Sequence, residues 1–100
     1  MLINFPFLNS LTLGELVVLA VENNLEINPD VNSLQALQID IIYSFDELPA
    51  YYENSEELYQ YLSHLSLDML RVVAELYSIS PSRPFHTQQL ARLITEKVFS

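Results

Sequence analysis

The chain has no cysteine, no tryptophan and a single glycine, and its first seventy residues contain neither lysine nor arginine. Without cysteine there is no disulfide framework, no thiolate metal site and no cysteine nucleophile; the composition fits a reducing compartment, so cytoplasm is the expected location. One glycine in 100 residues leaves no phosphate-cradling glycine loop and too few turn formers for a tight-turned β-sandwich. The longest uninterrupted apolar run, residues 16–21, falls far short of the roughly 18 to 20 residues that span a bilayer. Met1-Leu2-Ile3-Asn4-Phe5-Pro6 is apolar but carries no basic region, so no signal peptide and no membrane association are expected. The missing cations make a polyanion a poor candidate as partner for most of the surface, because phosphate neutralisation has nothing to work with there.

What the chain does have is acid and hydrocarbon. Eleven of its thirteen acidic side chains lie between Glu15 and Asp68, and all four basic ones, Arg71, Arg83, Arg92 and Lys97, come after them, for a net formal charge of −9. Neither folding nor solubility needs such a segregation, which therefore points to selection of a partner. Half the residues are hydrophobic, enough for one self-sufficient core in a single all-α domain.

An internal repeat organises the pattern. Shifted by 54 positions, Leu11-Thr12-Leu13 aligns with Leu65-Ser66-Leu67, Leu16 with Leu70, Val18 with Val72, Ala20 with Ala74 and Leu25 with Ile79. Each copy opens on a hydroxyl N-cap, and Thr12 with Glu15 forms a capping box; Ser66 is followed by Asp68 in the first turn. Helical spacing then places Leu13, Leu16, Val17 and Ala20 on one face in the first copy, and Leu67, Leu70, Val73, Ala74 and Tyr77 in the second. Both copies run through a proline-bearing extension, residues 25–32 and 79–86, before a second helix. Ser33 and Thr87 are the expected caps of those helices, with apolar faces Leu34, Leu37, Ile41 and Leu90, Ile94, Val98. The expected architecture is two helix-extension-helix units, residues 11–43 and 65–98, joined by a linker over 44–64, with five main helices. The segment ahead of them, with Phe5 and Phe7 around Pro6, reads as an arm closing the core over the first helix or as an apolar handle for homodimerisation.

In each copy Leu-Thr/Ser-Leu, then Leu, then Ala, precedes the proline-bearing extension and a short second helix, which resembles the modules of SAP domains and of the Rho termination factor N-terminal domain. The resemblance covers about two thirds of the chain, and implies a helical fold and binding of DNA or RNA through basic residues of the extension and second helix. This chain departs at that point. In the first copy the second helix contains Asp40 and no basic residue; in the second, Arg83, His86, Arg92 and Lys97 form a sparse basic edge that could contact phosphates weakly. Direct nucleic-acid binding is therefore disfavoured and is kept as the alternative role.

The linker is acidic and aromatic together. Asp46, Glu47, Glu53, Glu56 and Glu57 alternate with Tyr51, Tyr52 and Tyr59, and Ser55-Glu56-Glu57 reads as a helix start with carboxylates at the positive end of the dipole, carrying Leu58, Tyr61, Leu62 and Leu65 inward. Pro49 marks either the end of the helix before it or the start of a new turn at Leu48. Tyrosine supplies rigid contact area and carboxylates supply steering, so these eight residues are the candidate partner-binding surface; the plainer alternative is that the tyrosines pack between the units while the glutamates solvate the outside. A line of carboxylates including Asp40 could also occupy a groove that normally holds nucleic acid, and a nuclease, a polymerase or another nucleic-acid-binding protein carries such a surface.

No catalytic constellation is present: no nucleophile with a base, and Glu56 and Glu57, adjacent on a helix, diverge rather than share a substrate atom. His64 and His86 have no second histidine at ligand spacing, so neither metal nor cofactor is expected; His64 falls where an imidazolium meets a helix C-terminus, and His86 reads as a capping or surface residue. The expectation is a non-enzymatic acidic regulator or adaptor for a basic protein surface, or more blandly a structural subunit of a larger assembly.

Overall fold

A computed structural model of the chain describes residues 5–26, 33–46, 48, 52–79 and 86–99. Six helices and no strand occur among them: α1 (Pro6–Ser10), α2 (Leu13–Glu22), α3 (Leu34–Asp46), α4 (Ser55–Ser63), α5 (Leu67–Leu76) and α6 (Thr87–Val98). The all-α expectation holds. Helices α2 to α6 are the five read from the sequence, and α1 is additional. Most of the two extensions, together with Glu47, Pro49, Tyr51 and Arg83, lies outside the described residues.

Helix α5 is the centre of the molecule. Met69, Leu70, Val72, Val73 and Ala74 are each fully buried, so more than half of the helix circumference is covered, with Leu67, Asp68 and Arg71 on the open side. It packs against α1, α3 and α6, while α2 packs on α3 and α4 lies on α6. Leu16 and Leu19 from α2, Leu37, Ile41 and Phe45 from α3, Leu58 and Leu62 from α4, and Leu90 and Ile94 from α6 join α5 in one continuous core. The radius of gyration, 13.0 Å, is that of a compact 100-residue chain, so the two halves are not strung apart.

Local chemistry explains the helix ends. The Thr12 hydroxyl accepts from the Glu15 N–H at 3.2 Å while the Thr12 N–H donates to Glu15 Oε1 at 2.9 Å, completing the capping box. These Thr12 contacts hold the exposed Glu15 carboxyl below its ordinary value, the backbone hydrogen bond contributing most. Ser33 Oγ accepts from the Ala36 N–H at 3.1 Å. Helix α4 starts at Ser55, as read from the sequence, and Asn54 caps it, its Oδ1 accepting from the Glu57 N–H at 2.9 Å. At α6 the cap falls one residue earlier than expected: His86 is the N-cap and Thr87 the first helical residue, because the Gln89 side chain reaches back to the His86 N–H at 3.1 Å.

Helices α2 and α5 end in the same way. Asn24 and Ser78 adopt left-handed φ values of 58° and 62°. The Leu25 N–H reaches the Ala20 carbonyl at 2.9 Å and the Ile79 N–H reaches the Ala74 carbonyl at 2.8 Å, while the intervening Asn24 and Ser78 N–H groups bond Val21 and Glu75. This is the Schellman arrangement, closed in each case by an apolar residue that turns back onto the core.

The α2 face is rotated from its expected position. Leu16, Leu19 and Ala20 point inward, whereas Leu13 and Val17 are over a third exposed, as are Leu34 and Leu67 in their own helices. Gly14, on the outer side of α2, is the chain's one glycine, and a Cβ added there would meet nothing within 4 Å. Neither its helical backbone nor its packing calls for glycine.

Two long-range polar contacts hold the elements together. Asn23, buried at the C-terminus of α2, donates from Nδ2 to the Leu19 carbonyl at 2.8 Å and to Ser66 Oγ at 3.0 Å, and its Oδ1 accepts from the Ser66 N–H at 2.7 Å. Ser66 Oγ in turn accepts from the Met69 N–H at 3.2 Å. One asparagine thus joins the end of α2 to the cap of α5. The second contact concerns α1, a single turn that could not persist alone and whose N-cap, Phe5, offers no side-chain acceptor. Glu75 of α5 supplies the acceptors, its two carboxylate oxygens receiving the Phe7 and Leu8 N–H groups at 3.1 and 3.0 Å. Arg71 lies 3.9 Å over the Phe7 ring, Gln38 of α3 donates to the Leu8 carbonyl at 3.4 Å, and Leu8 is fully buried. Residues 5–10 are an arm built into the core, seated on α5 and α3.

Asn23→Ala should destabilise the protein by about 2 kcal/mol, since it leaves buried hydrogen-bonding groups unmet. In urea unfolding, combination with Ser66→Ala should cost less than the two single changes together by about 1 kcal/mol, whereas simple additivity would show that the two residues act separately. Gly14→Ala should instead raise stability by roughly 0.5 to 1 kcal/mol, because the helix gains propensity and nothing is displaced; a lower melting temperature would show that the site is more confined than its surroundings indicate.

Candidate functional site

The described candidate residues fall at the end of α3 and at the start of α4, which lies along α6. Asp46 is the last residue of α3 and is exposed. Glu53 precedes the Asn54 cap, and Glu56 and Glu57 stand in the first turn of α4, all three exposed. There the helix dipole favours their charge, and the Gln60 side chain donates to Glu56 Oε1 at 3.4 Å. Among the described residues no cation lies within ion-pair distance of Asp46, Glu53, Glu56 or Glu57; Arg71 pairs elsewhere, with Asp68 at 3.8 Å. Glu47 and Tyr51, also candidates, lie outside the described residues.

The described tyrosines of the candidate surface are engaged within the molecule. Tyr52 stacks on Tyr61 with ring centroids 5.4 Å apart and planes inclined by 24°. Both rings are half-buried against the core, as is Tyr59. The Arg92 guanidinium of α6 sits 4.3 Å over the Tyr59 ring. The acidic linker and the basic edge, two separate features of the sequence, therefore meet along the α4–α6 contact. Of the rest of that edge, His86 caps α6 at its start and Lys97 lies exposed in its last turn, while Arg83 is outside the described residues. His64 is the C-cap of α4, the position read from the sequence.

Burial raises the phenol of Tyr52 above its ordinary value of 10.0, with the Glu57 carboxylate adding to the effect, and burial likewise raises Tyr61. Tyr77, which closes α5, donates its hydroxyl to the Phe45 carbonyl at 2.8 Å and is also raised by burial. The Tyr77 hydroxyl thus ties the end of α5 to the end of α3.

The long-range polar contacts of the fold gave no sequence signal: Asn23, Glu75 and Gln38 act across 29 to 68 positions of chain. The Tyr59 and Arg92 pairing is of the same kind. Comparison with protein-family models, with curated proteins and with solved structures returns no match, and the reading of the site rests on its own geometry.

Because the folded phenols titrate higher than unfolded ones, their contribution is fully present below about pH 10 and is lost as pH rises through the folded values. Tyrosinate absorbance should accordingly show Tyr52, Tyr61 and Tyr77 ionising late, together with loss of helical circular dichroism. A single titration of all tyrosines at the ordinary value, with helicity intact, would show that these rings are open to solvent.

Proposed function

We propose that the chain is a non-enzymatic acidic adaptor that binds a basic surface of a partner protein and modulates it, the partner class being a nucleic-acid-handling enzyme such as a nuclease or polymerase. The observation that carries this reading is the group of exposed carboxylates at Asp46, Glu53, Glu56 and Glu57, to which the described residues offer no cation. Charge left unneutralised on a folded surface attracts a basic partner and raises its association rate. The tyrosines serve this surface indirectly: Tyr52 and Tyr59 brace α4 from within, so the carboxylates are presented on a firm support.

The fold is read as two helix-extension-helix units similar to SAP and Rho N-terminal modules, with the acidic α4 segment between them. The matching ends of α2 and α5 support this reading, each closed by a left-handed residue and a return of the chain to the core. Its usual companion, nucleic-acid binding, has less support here. Arg92 is drawn over Tyr59, and the first unit has no basic residue to offer.

In a pull-down from nuclease-treated native lysate, the tagged protein should retain a discrete basic protein that a salt step releases. Glu56→Lys with Glu57→Lys should slow that association by about tenfold, an effect that shrinks as salt is raised. Recovery of nucleic acid alone, lost on nuclease treatment, would replace the adaptor reading with the nucleic-acid one.

A further inference from the structure

Away from the linker, helix α2 presents an apolar face that no other described element covers. Val17, Val18 and Val21 are 38%, 55% and 63% exposed, and with Gly14 they stand at positions i, i+3, i+4 and i+7 of one stripe. Beside the stripe runs an open groove of about 540 Å³, floored by Leu11, Val18 and Leu19. Its rim is Glu15, Glu22 and Asp68, and no basic side chain lines it.

We propose that this groove receives an amphipathic helix of a basic partner protein, one with aliphatic side chains on a single face flanked by lysine or arginine. Three features of the groove select that occupant. An apolar floor along a helix takes apolar anchors at helical spacing, the way an amphipathic segment lies in a groove. The carboxylate rim is complementary to cations flanking those anchors, and it repels phosphate and anionic lipid. Gly14 leaves open space on the wall where neither its own backbone nor its neighbours need a glycine, and a second helix can approach most closely at such a point.

A second copy of this chain fits less well. Setting α2 against α2 would bring Glu15 and Glu22 of each copy into a shared, partly desolvated seam of like charge. Arg71 pairs with Asp68 at 3.8 Å and lies over Phe7 without lining the groove, so Glu15 and Glu22 are the rim carboxylates that would meet a partner's cations. The inference rests on the reading of the protein as an adaptor for basic partners, but it places an apolar anchor on α2, separate from the carboxylates of α4.

The test is a titration of the ¹⁵N-labelled protein with a synthetic helix of leucine and lysine, roughly four turns long, with leucine at i, i+3, i+4 and i+7. Amide shifts should concentrate at Gly14, Val18, Leu19 and Glu22 and should saturate. Val18→Lys places a charge on an exposed position without touching the core, and it should weaken binding at least about tenfold. Gly14→Leu should do the same by filling the wall, with circular dichroism showing that both variants remain folded. A peptide with glutamate in place of lysine should not bind. Failure of the leucine–lysine peptide to bind, shifts confined to residues 53–57, or unchanged affinity in both variants would overturn the proposal. Concentration-dependent shifts along α2 without peptide would assign the face to a second copy and overturn it equally. If Glu56→Lys with Glu57→Lys loses the lysate partner while Val18→Lys keeps it, the adaptor reading survives without the groove.

Discussion

The arrangement of the molecule depends on Asn23 and Ser66. A helix C-terminus and a helix N-terminus both leave backbone groups unsatisfied, and burying either without a partner is costly. Here one asparagine joins the two: Nδ2 serves the Leu19 carbonyl and the Ser66 hydroxyl, and Oδ1 takes the Ser66 N–H. Because Ser66 also caps α5, the clasp sets where the central helix begins relative to the end of α2. The other elements are placed from α5: α1 through Glu75 and Arg71, α3 through Tyr77 and its packing, and α6 through direct contact, with α4 resting on α6.

How much of this could be read from the chain depended on the range of the interaction. Signals that act within one turn were legible, such as Thr12 with Glu15, Ser33, Ser66, and the inward set Leu37, Ile41, Leu58, Leu62, Leu90 and Ile94. The orientation of α2 was not, because Leu13, Leu16, Val17, Val18, Leu19 and Val21 are apolar all round the helix and periodicity alone cannot choose the inner face. Packing on α3 made the choice and left valines outside. Glu75 looked like an ordinary surface acid on α5, and nothing near it in sequence reveals that its partners are the N–H groups of residues 7 and 8. The site divided in the same way. Its described carboxylates are exposed where composition placed them, while Tyr52 stacks on Tyr61 and Tyr59 lies under Arg92, contacts that the sequence did not reveal.

That division changes the physical character expected of the acidic surface. Interfaces anchored by buried aromatic rings hold through slow dissociation, whereas a field of exposed carboxylates acts mainly on encounter and is weakened by salt. With Tyr52 and Tyr59 turned inward, the linker is better suited to attracting and orienting a basic partner than to gripping it. A durable complex would need apolar contact from another part of the surface, which gives the uncovered valines of α2 their interest.

The capping of α1 by Glu75 bears on the order in which the fold can be completed during synthesis. As the chain emerges from its N-terminal side, residues 6–10 have no partner for their helix start until position 75 has followed, 68 residues after Phe7. Their apolar side chains must wait until α5 has been made, either exposed or in provisional contacts, and only then can the turn close. The first helix in sequence is therefore among the last to be secured, and a pause in elongation between α4 and α5 would prolong the interval in which Phe5, Phe7 and Leu8 are open to a chaperone.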